Sequence, residues 1–218
     1  SGCVLHQMVK DSRSVSVIMQ VISTSYSEKI AEYRRGGTTD AAGLGVYLEW
    51  WVSGWPSFLN WVPIITEAFN EDLTIYGGDL PLTDYRTRTI SADELDDLKA
   101  KLGDKFETIL SGWEKSLTEA HCGLISQKEA RKLAEHQIRR DVWTSSVAEQ
   151  LLENGQKVYL HVNRGHARRD RSLVGALEQA TDKKIISIGA VWKDEEVFAQ
   201  SWKAFDYIFV TGDAKRPD

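Results

Sequence analysis

The chain has 218 residues, 42% of them hydrophobic and 27% charged, with only four prolines. That composition belongs to a folded globular protein and excludes a disordered or fibrous one. A net charge of -5 excludes the broad basic face that non-specific nucleic-acid binding needs, so any anion site must be local. Cys3 and Cys122 form no CxxC pattern, which leaves a zinc knuckle or dense disulfide scaffold without support. No apolar run approaches the roughly 20 residues of a membrane-spanning helix. The length predicts one domain over residues 1–218.

In chain order, five apolar, β-branched runs read as strands: 14–22 (SVSVIMQVI), 72–78 (DLTIYGG), 156–163 (QKVYLHVN), 184–191 (KIISIGAV) and 205–212 (FDYIFVTG). Each is short and bounded by polar or turn residues. Helical patterns lie between them at 57–70, 104–123 and 126–155. Strands that are apolar on both faces and alternate with helices predict an α/β fold, with a mostly parallel sheet covered by helices on both faces.

The segment from 126 carries the clearest helix signals. Ser126 and Glu129 form a capping box, and Asn154–Gly155 offers a left-handed stop. Its inward stripe runs through Ala130, Leu133, Ala134, Gln137, Ile138, Asp141, Ser145, Ala148 and Leu152. Gln137 and Asp141 interrupt that apolar face one turn apart, and burial obliges them to find partners. They form either a structural network or part of a site. His136 is expected to face water.

Ligands of open α/β sheets bind beyond the carboxyl ends of the strands. The stretch HVNRGHARRD (161–170) is the loop at one such end, with a helix starting at Asp170 or Ser172. Gly165 suits a tight turn with positive φ and leaves room beside His166. His166 is a metal ligand or proton carrier by type, and Arg164, Arg168 and Arg169 suit carboxylates or phosphates. The bland alternative is that each arginine is a solvated surface charge. Ser23-Thr24, Gly77-Gly78-Asp79 and Thr211-Gly212-Asp213 are the other loops expected at that edge. His121 ends the stripe Phe106, Leu110, Trp113, Leu117 and is either a helix cap or a ligand contact. His6 and His161 have no motif around them. The segment 47–61 (YLEWWVSGWPSFLNW) holds four of the eight tryptophans, as core, pocket lining or subunit interface. No GxSxG, P-loop, HExxH or GxGxxG is present, so the catalytic motifs lend no support to hydrolysis or nucleotide chemistry.

Together, HCGLISQKEARKLAEHQIRRDVWTSSVAEQL (121–151) and KVYLHVNRGHARRDRSLVGAL (157–177) resemble the signature of the ChaN-like haem-binding family. The matching positions are His121-Cys122-Gly123-Leu124, Gln137, Arg140-Asp141, Gly165-His166 and Arg168-Arg169-Asp170. Weaker likeness extends over 54–81 and 205–218. The resemblance implies an α/β protein that binds haem in a crevice at the carboxyl ends of the strands, between two subunits of a homodimer, and takes part in haem or iron uptake. It implies His166 at the iron or beside it, and Arg164, Arg168 and Arg169 at the propionates. Gly165, Gln137, Arg140, Asp141 and His121 are then expected around the pocket. Tyr26, Tyr85 and Tyr207 are alternative phenolate ligands.

The opening "SGC" is similar to the end of a bacterial lipoprotein signal, which implies a lipid anchor and an outer-membrane or periplasmic setting. The chain departs from the family in having no Gly-Glu-x-His-Asp loop before the first strand and in carrying Gln20 where a glutamate is usual. Two alternatives stay open: a divergent metal-dependent hydrolase with its metal at His166 and His121, and a degenerate, non-catalytic interaction module.

Overall fold

The computed structural model describes residues 2–10, 14–86, 90–192 and 202–211. Nine α-helices and five strands are found among them. In chain order they are α1 (Gly2–Lys10), β1 (Val15–Ser23), α2 (Ser27–Arg35), α3 (Ala41–Tyr47), α4 (Val62–Asn70), β2 (Thr74–Asp79), α5 (Leu82–Arg86), α6 (Ala92–Leu102), α7 (Phe106–Ala120), α8 (Gln127–Glu153), β3 (Lys157–His161), α9 (Ser172–Ala180), β4 (Ile188–Trp192) and β5 (Tyr207–Thr211). The expected loop residues Gly212 and Asp213 lie outside the described residues, as do the side chains of Cys3 and Tyr85. The chain divides into two compact units, residues 1–87 with 147–162 and residues 88–146 with 163–218.

The first unit is built on a parallel sheet of order β2-β1-β3. Every position of β1 is buried, because VSVIMQVIS is nearly apolar on both faces and both are covered. Met19 stands opposite Gly77 on one side and His161 on the other. The register then shifts, and Ser23 pairs with Asp79 at the carboxyl ends. Gly77 permits this: a Cβ there would collide with the Ser23 carbonyl. The core gathers Leu5, Met19, Ile22, Leu44, Trp50 and Ile65, and the rings of Phe58 and Trp61 pack 5.0 and 5.2 Å from Trp50.

The helix expected over 57–70 is divided. A short 3-10 turn spans Phe58–Asn60, and α4 begins at Val62. Pro63 stands in its first turn, where a missing N–H is harmless, whereas in mid-helix it would cost a hydrogen bond.

The second unit packs α6, α7, the greater part of α8, and α9 around Leu98, Leu102, Phe106, Leu110, Ile138 and Val142. β4 and β5 pair in parallel, with Ile188 opposite Tyr207. The capping box of α8 forms as expected: Glu129 N donates to Ser126 Oγ at 3.2 Å, and Ser126 N donates to Glu129 Oε2 at 2.8 Å. The helix stops before Gly155, which adopts φ 74°, the left-handed conformation glycine tolerates. His136 does not face water but is buried. The apolar side of α8 carries Ala134, Ile138 and Val142 in the core, while His136, Arg140 and Thr144 are buried at i, i+4 spacing on another side. The helix is therefore covered on more than one face, and an amphipathic stripe understates its burial.

Candidate functional site

The loop after β3 turns tightly, with His166 N donating to Asn163 O at 2.9 Å. Gly165 is not among the positive-φ residues, so the turn does not need the left-handed freedom expected of it. What the glycine does provide is space: a Cβ there would only touch the ring of Trp113 at 3.6 Å. The turn directs His166 inward, where it is 5% exposed.

His166 Nδ1 lies 2.5 Å from Asp141 Oδ1. The other carboxylate oxygen of Asp141 accepts from the Ser172 hydroxyl at the first position of α9. Trp113 on α7 donates from Nε1 to Ser172 Oγ at 3.4 Å and packs its ring 4.9 Å from the imidazole. Three helices and one loop thus meet on the fully buried carboxylate of Asp141. A carboxylate only accepts, so Nδ1 donates the shared proton, and the tautomer this selects places the ring's lone pair on Nε2. Among the described residues, Nε2 makes no hydrogen bond.

Arg171 closes the other side of Trp113, its guanidinium carbon 4.9 Å from the ring centroid and its Nη2 donating to Ser116 Oγ at 2.7 Å. Burial pulls its pKa down, against the opposing pull of Asp170. Gly112 makes room for it, since a Cβ would strike the guanidinium.

The arginines expected at an anion have partners inside the chain. Arg168 holds Asp170 through two bonds of 2.7 and 2.6 Å. Arg169 grips Asp206 at 2.8 and 2.6 Å, donates to Ile185 O at 2.8 Å and pairs with Glu178. These hydrogen bonds hold Asp170 and Asp206 below the usual carboxylate range. Arg164 is exposed. Arg140 is buried and donates to Gln137 Oε1 at 3.1 Å, which makes the polar residues of α8 partners of one another. His121 is exposed at the end of α7, its Nδ1 2.8 Å from Leu117 O, the geometry of a helix cap.

In the first unit, the carboxyl ends of β1 and β2 open on a cleft lined by Ser23, Tyr26, Trp50, Trp55, Asp79 and Leu80. Ser23 and Asp79 come together here as the last residues of β1 and β2, so Gly77-Gly78-Asp79, expected as a loop, is instead the end of a strand. Tyr26 is half-buried at its edge, while Tyr207, in the second unit, is exposed. On β3, His161 stacks with Tyr159, ring centroids 6.4 Å apart at 14°. Burial pushes the His161 imidazole down to about 4 and the Tyr159 phenol up to about 12, so both are neutral at neutral pH.

Sequence reasoning anticipated Asp141 and His166 but not their support by Ser172, Trp113 and Arg171. An inward aspartate one helix away from a histidine loop signals the pair. Its neighbours are 25 to 59 positions apart, beyond the reach of local spacing.

No family model matches the chain, and no curated protein matches it. Among solved structures, ChaN of Campylobacter jejuni, described with cofacial haem binding, matches with a TM-score of 0.67 and 16% sequence identity. The match covers 94% of this chain and 77% of that one. The fold is thus an α/β fold similar to that of ChaN.

Proposed function

We propose that this protein binds haem and serves in haem or iron handling, with His166 Nε2 as the group offered to the iron. The observation that carries the reading is the Asp141–His166 pair, found on a fold like that of a protein described with haem bound. Metal-ligating histidines characteristically hand their other ring N–H to a carboxylate, which orients the ring and raises its basicity. The donor present therefore fits iron, and haem would supply a redox-active metal when bound.

Asp141 holds the tautomer, Ser172 and Trp113 hold Asp141, and Trp113 flanks the imidazole with an apolar face. Arg164, Arg168 and Arg169, on the loop that carries His166, are the candidates for the propionates. Val46, Trp51 and Leu59 in the first unit are strongly exposed for apolar side chains, which supports a homodimer that covers them.

Haemin titrations of the wild type, His166→Ala and Tyr26→Phe test the assignment. The reading expects a shifted Soret band that His166→Ala loses and Tyr26→Phe keeps. The opposite pattern would move the iron to the cleft beside Tyr26 and overturn the role of His166. Circular dichroism of both variants separates a lost ligand from a lost fold.

A further inference from the structure

We infer that His6, Glu67 and Glu71 form a binding site for a divalent transition metal of the zinc class, independent of any haem. His6 stands on α1, Glu67 in the last turn of α4, and Glu71 at the C-cap of that helix. The His6 Nδ1 atom lies 2.8 Å from Glu67 Oε1 and 3.4 Å from Glu71 Oε1. One ligand atom from each of the three lies within 4.8 Å of the other two. In a tetrahedral zinc site with bonds of about 2.0–2.2 Å, neighbouring ligand atoms sit roughly 3.3 Å apart. The observed spacings bracket that value, so only small side-chain shifts separate this arrangement from coordination.

The position favours a cation for two further reasons. Glu67 and Glu71 are like charges at i, i+4, which repel on a helix surface. They also stand at the negative end of α4, whose last turn contains no basic residue, so the helix dipole adds to the local negative potential. A protonated His6 relieves this only partly; a divalent ion answers both carboxylates. The nitrogen donor sets the site apart from a plain acidic cluster and selects against calcium and magnesium, which prefer all-oxygen shells.

The scaffold holds the donors in place. Leu5, beside His6, is fully buried in the core, with Met8 and Val9 packed against it, and Ile64, Ile65 and Ala68 bury the other side of α4. All three ligands remain half-open to solvent, so an ion has access and the fourth position can hold water. Bound metal would staple α1 to α4.

Calorimetric titration of the tag-free chain with zinc chloride under reducing conditions tests the proposal, run in parallel on Glu67→Gln/Glu71→Gln and on His6→Gln. The wild type should bind one equivalent saturably, each variant at least tenfold more weakly, and thermal unfolding of the wild type alone should shift upward with zinc. Wild-type binding that both variants retain would place the ion elsewhere and overturn the proposal, as would an absence of saturable binding. Because the three side chains are partly exposed, the variants should fold, and their far-ultraviolet circular dichroism checks this. Haem binding by the same variants should be unchanged, which keeps the two readings separable.

Discussion

His166 and Asp141 face each other at 2.5 Å between loop and helix, with the carboxylate wholly removed from solvent. Asp141 accepts from both the imidazole and the Ser172 hydroxyl, so losing the carboxylate strands two buried donors without an acceptor. Asp141→Ala should therefore destabilise the protein by about 3 kcal/mol in urea denaturation, the cost of two buried unsatisfied groups. Ser172→Ala, which removes one hydroxyl contact, should cost about 1 kcal/mol. Equal costs would contradict a network centred on the carboxylate.

Arg169 ties the His166 loop to Asp206, Glu178 and the Ile185 carbonyl. Its planar fork meets Asp206 through two parallel bonds, a geometry lysine cannot reproduce. Arg169→Lys should lose most of the stability that Arg169→Ala loses. A double-mutant cycle with Asp206→Ala should give a coupling of about 1 kcal/mol. A coupling near zero would mean the pair is solvated and the loop is held by other contacts.

Gly77 lies where β2 passes the end of β1, with no space for a Cβ against the Ser23 carbonyl. Gly77→Ala must push one backbone from the other, at a cost of about 1–3 kcal/mol. Gly165→Ala meets only ordinary contact with Trp113 and should be much milder. Thermal melts of the two variants test the difference, and an equal loss would contradict the geometry.

Burial depresses the pKa of His161 from 6.5 to about 4. Between those values the unfolded chain binds the proton that the folded chain refuses, so stability rises with pH across the window. The His161 contribution is fully present above about pH 6.5 and is lost as pH falls toward 4, by at most about 3 kcal/mol. Denaturation series at pH 4 to 7 on the wild type and His161→Gln should diverge over that range. Parallel curves would contradict the burial.

Much of the frame could be read before the structure. All five strands overlap the short apolar runs that announced them, most clearly β1, which is buried at every position and must be apolar on both faces. The start and stop of α8 followed from Ser126, Glu129 and Gly155, whose local chemistry acts within one turn. Helix α2 was not legible: SEKIAEYRR buries only Ile30, too little to show a period. Asp141 was legible as an inward charge that pairs with an arginine or orients a histidine, and the structure sets it against His166. The pairing of Arg169 with Asp206, 37 positions away, and the approach of His6 to Glu67, 61 positions away, are products of tertiary packing that no local pattern encodes.

The most direct measurement is a haemin titration of the wild-type protein, followed by the Soret band and by tryptophan fluorescence. Haem binding predicts a shifted band that saturates at a defined haem-to-chain ratio, with parallel quenching. An absorbance that grows in proportion to added haemin, with the spectrum of free haemin throughout, would contradict it.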